Sequence, residues 1–133
     1  MIAKRNAIYL ADLGEKVNSS VEGGIRPVLV LQNDVGNEYS PTVIIAPITS
    51  STTKKKMPTH VLLKNPTLEK KSIVLLEQIQ TIDKTQLIEQ RGEATNKEMN
   101  RVEWAAKVSL GMRGVDKNER TKNTTQTGFA SGN

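Results

Sequence analysis

The sequence contains no cysteine and one histidine. Disulfides and thiolate metal sites are excluded, and a metal centre built on several imidazoles has no residues to draw on, so no cofactor is expected. Long apolar runs are missing too. Nothing approaches the roughly 18 residues that cross a bilayer as a helix, and Met1-Ile2-Ala3-Lys4-Arg5 lacks the hydrophobic segment of a signal peptide. A cytoplasmic location without membrane attachment is the expectation. Only four aromatic side chains occur, Tyr9, Tyr39, Trp104 and Phe129, too few for a nucleic-acid groove built on rows of stacking rings. Acidic residues are outnumbered: 14 Asp and Glu face 19 Lys and Arg, a formal charge of +5 that favours polyanionic partners over neutral ones.

The 133 residues suit one domain with a real core. Ala7 to Leu13 reads as a first strand, and the segment from Gly14 to Gly24 as a long loop. Val28 to Leu31 is continuously apolar, as in a strand covered on both faces, and Gln32 to Asn37 is turn chemistry. A strand is expected from Thr42 to Ile48, a basic loop over Ser50 to Lys56, and a short strand over Thr59 to Leu63. Ser72 to Ile82 gives the longest strand signal, with both faces turning polar midway. Thr95-Asn96-Lys97-Glu98 is a capping box that opens a helix running to about Arg113. That helix carries an apolar arc too broad for one core face, which suits a second copy of the chain. Residues 114–133 read as a disordered polar tail, leaving 1–113 as the domain. Several short strands followed by one late helix give a mainly β fold, a small antiparallel barrel or curled sheet with a C-terminal helix.

The chemistry concentrates at Gly23-Gly24-Ile25-Arg26-Pro27, where a glycine turn delivers an Arg to the head of a buried strand, and at Ile48-Thr49-Ser50, where the next strand ends in hydroxyls. A planar guanidinium beside a flexible backbone turn suits phosphate oxygens.

Tyr9 to Leu13, Gly23 to Asp34, Asn37, Tyr39 to Ala46, Ile48 to Ser50, Lys56 to Val61, and Leu75-Leu76-Glu77-Gln78-Ile79 with Thr81 to Lys84 follow one another in an order that resembles the MazF/PemK family of toxin endoribonucleases. The resemblance covers residues 1 to about 112. It implies an SH3-like barrel of the CcdB/MazF type, a homodimer, cleavage of single-stranded RNA at a short sequence, and neutralisation by a cognate MazE-like antitoxin. It further implies that Arg26 and Thr49 are the catalytic pair, with Glu77 as a candidate for positioning or proton transfer. RNA contacts are implied at Ser20, Gly24, Ser50, Lys55, Gln78 and Gln80. Cleavage without metal uses the ribose 2′-hydroxyl as nucleophile, so charge on the phosphorane and the departing 5′-oxygen must be managed by side chains. His60 reads as a strand residue and not a catalytic one, since a two-histidine mechanism is impossible within one chain.

Three positions depart from the family pattern. Arg5-Asn6-Ala7 stands where R-G-D or R-G-E is usual, Ser20-Val21-Glu22-Gly23-Gly24 where S-E-Q-G-G is usual, and Gln80 where a cation is usual. They motivate an alternative reading, a catalytically weakened RNA- or antitoxin-binding homologue. A CcdB-like gyrase poison on the same barrel fits less well, because the chain ends Ala130-Ser131-Gly132-Asn133 and not on aromatic or apolar residues.

Overall fold

The computed structural model describes residues 3–50, 56–64 and 71–114. Lys54, Lys55 and the expected tail from 115 onward lie outside the described residues. The chain runs β1 (Ala7–Asp12), β2 (Ile25–Val30), α1 (Asp34–Tyr39), β3 (Thr42–Thr49), β4 (His60–Leu63), β5 (Ser72–Leu75), β6 (Gln80–Asp83), β7 (Leu87–Glu93) and α2 (Asn96–Leu110), with 3₁₀ turns at Leu76–Gln78 and Lys84–Gln86.

All ladders are antiparallel, in the order β4-β5-β3-β2-β1-β7, with β6 also on β3. The mainly antiparallel architecture with a late helix is the one expected. Among the described residues the ladders form an open, curled path and do not close. Alternation along β1, β2 and β3 sends Ile8, Leu29 and Ala46 to one cluster, where Met99, Val102 and Trp104 of α2 cover them. Tyr9, Val28, Val30 and Ile45 go to a second cluster inside the curl, closed by Ile82 and Leu87. Both faces of these strands are therefore buried, which is why β2 reads as an unbroken apolar run. Each fully buried apolar side chain in these clusters contributes about 1.5–3 kcal/mol relative to exposure.

The run from 72 to 82 is not one strand. Ile48 faces Val74 and Ile45 faces Gln80, so three steps along β3 correspond to six along its partner. The three extra residues are the turn Leu76–Gln78, looped out where both faces of the run turn polar. The polar midpoint is thus a break and not a strand entering a site. Where Gln32 to Asn37 is expected as a turn, Asp34–Tyr39 is a short helix capped by the Asn33 side chain, which accepts from Gly36 N at 2.8 Å. α2 stops at Leu110, short of Arg113, because Gly111 takes φ 64° and Met112 N–H closes back to the Lys107 carbonyl. The apolar arc of α2 is only partly used: Leu110 and Met112 are exposed.

Candidate active site

Pro27 shapes the end of the β2–β3 ladder. Leu31 N donates to Ile44 O at 3.0 Å, so by alternation position 27 also faces β3, but proline has no N–H to extend the ladder, and the paired residues stop at Val28 opposite Pro47. Continuing that register by two residues sets Arg26, near the start of β2, level with Thr49, the last residue of β3. Thr49 is buried, faces Ile73 of β5, and is followed at once by exposed Ser50.

The loop before Arg26 folds back on its own ends. Leu13 N donates to Gly24 O at 2.9 Å and Gly24 N to Gly14 O at 2.7 Å. The two glycines are needed for different reasons. Gly24 has φ 74°, a region that costs L side chains about 1–2 kcal/mol. At Gly23 a Cβ would stand 2.5 Å from Lys16 Cγ and 2.8 Å from the Gly14 carbonyl oxygen. The closeness permits Arg26 Nε to donate to Gly23 O at 2.8 Å. Arg26 Nη1 also lies 3.5 Å from Glu22 Oε1.

Gln78 connects this loop to the 3₁₀ turn. Its Oε1 accepts from Glu22 N at 2.8 Å and its Nε2 donates to Ser20 O at 3.1 Å. Both ends of the amide are spent on loop backbone, so Ser20, Glu22 and Arg26 are carried with the turn that bears Glu77. The turn itself packs against β3, β4 and α2.

Glu77 is held from the other side. Thr59 Oγ1 donates to Oε1 at 3.0 Å, and His60 Nε2 lies 2.9 Å from Oε2. Facing a carboxylate, Nε2 must be the nitrogen that carries the proton. The imidazole is buried while the Glu77 side chain is 26% exposed. A carboxylate has about four acceptor sites, so each Glu77 oxygen keeps capacity beyond these two bonds.

Arg26, Thr49, Glu77, Ser20, Gly24, Ser50 and Gln78 therefore gather around one end of β2 and β3. Gln80 does not sit at that end: it faces Ile45, four residues back along β3 from Thr49, roughly 13 Å of strand. Its Nε2 is buried without a hydrogen-bond partner among the described residues. Lys55 lies outside the described residues. Among the described residues no three His, Asp or Glu side chains group as metal ligands, and no helix is long and apolar enough to cross a membrane. His60 opens a strand as expected, but its link to Glu77, the part of Thr59 in holding the same carboxylate and the pairing of Glu22 with Arg26 are not legible in the sequence. The single histidine next to a threonine, inside a stretch already matched to the family, was the available signal.

The family model described as PemK-like, MazF-like toxin of type II toxin-antitoxin system matches residues 4–110. Endoribonuclease MazF of Staphylococcus saprophyticus is 49% identical over 111 residues, which span 82% of this chain and 92% of that protein. A solved endoribonuclease in complex with its cognate antitoxin, from Mycobacterial species, superposes with a TM-score of 0.71 at 26% identity, covering 84% of this chain and 98% of its own. MazF from Deinococcus radiodurans superposes with a TM-score of 0.72 over 84% of this chain and 99% of its own. Its identity is 23%, and the likeness there is one of fold.

Proposed function

Because the chain belongs to the PemK-like, MazF-like family of toxins of type II toxin–antitoxin systems, we propose that it is an endoribonuclease that cuts single-stranded RNA at a short sequence without a metal. The observation that carries this reading is the register that sets Arg26 level with Thr49, beside a turn whose Glu77 carboxylate is fixed by two donors.

In the proposed reaction the ribose 2′-oxygen attacks phosphorus as its proton passes to the Glu77 carboxylate or to solvent, and the bond to the 5′-oxygen breaks as that oxygen takes a proton from solvent, leaving a 2′,3′-cyclic phosphate and a 5′-hydroxyl. Arg26 stabilises the charge that grows on the non-bridging oxygens, where a pre-placed cation acts most strongly in a partly dry site. The Thr49 hydroxyl orients the phosphate. Glu77, with acceptor capacity left beside Thr59 and His60, positions the attacking hydroxyl or takes its proton. Ser20, Gly24, Ser50 and Gln78 are the proposed RNA contacts at that end of β2 and β3, Gln78 through the loop backbone that it holds, with Lys55 proposed beside them and Gln80 farther along β3.

The protein acts as a cytoplasmic homodimer in this reading, and a MazE-like antitoxin covers the groove. Exposed Leu110 and Met112 at the end of α2 support the dimer. The endoribonuclease with 26% identity was solved with its cognate antitoxin, which supports the second partner.

The test is cleavage of a long single-stranded RNA in EDTA by wild type, Arg26→Ala and Thr49→Ala. Wild type cuts, and each variant loses about 100-fold or more in kcat. Uncut RNA with wild-type protein, or variants that cut as wild type does, would overturn the reading. Primer extension on the products reads the cleavage sequence.

A further inference from the structure

We propose that Glu22 is the resident counter-ion of Arg26 and the group that the substrate phosphate displaces, so that it sets how tightly this chain holds RNA. This rests on the reading that Arg26 meets the scissile phosphate. Oε1 of Glu22 lies 3.5 Å from Arg26 Nη1, with the two side chains 17% and 27% exposed. That distance exceeds a good N–H···O bond, so the contact is an ion pair loose enough to exchange. Part-burial keeps solvent and salt from cancelling it.

The guanidinium presents its five donors along two edges that a phosphate can grip with two parallel bonds. Gly23 O takes Nε on one edge at 2.8 Å, and Glu22 faces Nη1 on the other. A bidentate phosphate must therefore remove one of them. The Gly23 carbonyl belongs to backbone pressed against Gly14 and Lys16 and has little room to move. The Glu22 carboxylate has no hydrogen bond among the described residues, while its own backbone stays anchored through N–H to Gln78 Oε1 at 2.8 Å. The side chain can swing away without releasing the loop. The acid stands where the family resemblance implies a neutral glutamine, in Ser20-Val21-Glu22-Gly23-Gly24.

The test compares KM and kcat on a long single-stranded RNA, in EDTA, for the full chain and three variants. Glu22→Gln keeps the size and the backbone bond and removes the charge. KM is expected to fall about three- to tenfold at ~0.1 M salt with kcat within about twofold of wild type. The slope of log kcat/KM against log salt steepens by up to about 0.7, the increment of one further phosphate contact on a single strand. Glu22→Asp, whose shorter reach draws the carboxylate from Nη1, moves KM the same way by less, and serves if the glutamine variant melts early. Glu38→Gln, an equal charge change on exposed α1 past the other end of β2, leaves KM within about twofold. An unchanged or raised KM in both Glu22 variants, or an equal fall in Glu38→Gln, overturns the proposal. Arg26→Ala separates the two levels: if it cuts as wild type does, the site reading fails, whereas loss of cleavage in Arg26→Ala with no effect at Glu22 removes this inference alone.

Discussion

His60 donates a hydrogen bond to Glu77 across 2.9 Å, from an imidazole that is 3% exposed. With Thr59 Oγ1 at 3.0 Å on the other oxygen, the carboxylate has its orientation set from the start of β4. The one histidine of the chain thus acts through a carboxylate. Its Nε2 faces that carboxylate, which in the proposed reaction gives it the part of positioning Glu77.

His60→Ala is expected to lower kcat about tenfold or more with little change in KM, because a carboxylate that is free to rotate loses alignment with the 2′-hydroxyl and not its affinity for RNA. His60→Gln keeps a donor of similar reach and recovers part of the rate. Steady-state kinetics checks both, and a rise in KM at constant kcat would count against positioning. Thermal melting should show a loss of about 1–3 kcal/mol for the alanine variant, the usual penalty when a buried polar partner is deleted.

Gly23→Ala and Gly24→Ala are expected to fail differently. At Gly23 the added methyl meets Lys16 Cγ and the Gly14 carbonyl. The loop must open, and the acceptor of Arg26 Nε moves with it. Activity should fall more than tenfold while the sheet survives. At Gly24 nothing lies within 4 Å of the added methyl, and the cost is the backbone angle, about 1–2 kcal/mol. Parallel urea melts and cleavage rates distinguish a rate effect at Gly23 from a stability effect at Gly24.

Asp34 supplies a pH signature. Its Oδ1 accepts from Arg5 N at 2.8 Å and from Asn37 Nδ2 at 3.2 Å, and these bonds, the Arg5 backbone first, hold the carboxyl below its ordinary value. A lowered folded-state value means that the unfolded chain takes up the proton first as pH falls. The stabilisation is therefore whole above the ordinary carboxyl range near 4, and is lost below it, through the lowered folded value. Wild type should lose stability more steeply than Asp34→Asn between about pH 5 and about pH 3. Urea midpoints across that range check it, and parallel curves would refute it.

How far the sequence could be read depended on whether local pattern and tertiary role agreed. β2 and Arg26 were legible because a glycine pair, an Arg and an apolar run coincide with a hairpin end. α2 was legible from its capping box, and only its length was overdrawn at Gly111. β7 was not seen at all: in Leu-Ile-Glu-Gln-Arg-Gly-Glu a single residue, Leu87, is buried, so pairing with β1 and not apolar alternation makes it a strand. The turn at Leu76–Gln78 was hidden inside a run of good strand formers, since only the register on β3 shows three residues looped out. α1 carries no helical apolar period in its six residues, so the sequence shows only turn chemistry there; buried Asn37, bonded to Gln32 and to Lys84 Nζ, holds the helix instead. Asn6, standing where the family usually has glycine, takes φ 75°, a conformation that asparagine tolerates better than most residues. That departure from the pattern keeps the backbone requirement intact.

Glu98 links the helix to the strand that carries the site. It is 5% exposed; Oε1 accepts from Thr95 N at 2.9 Å to close the capping box, and Oε2 accepts from Lys64 N at 2.8 Å just past the end of β4. Glu98→Ala orphans both N–H groups and is expected to cost about 2–4 kcal/mol, since each is bonded to a charged acceptor. Glu98→Gln keeps one carbonyl acceptor but turns an NH₂ toward the other donor, so it should cost nearly as much. Thr95→Ala removes only the reciprocal bond to Glu98 N at 3.1 Å and should cost about 1 kcal/mol. Because Thr95 and Glu98 share the box, the double variant should fall short of the sum. Hydrogen exchange then separates the two arms of Glu98: loss of protection in both β4 and the first turn of α2 is expected for Glu98→Ala, and in the helix turn alone for Thr95→Ala. Equal loss in β4 from Thr95→Ala would mean that the helix as a whole, and not the Glu98 carboxylate, holds the strand beneath Thr59 and His60.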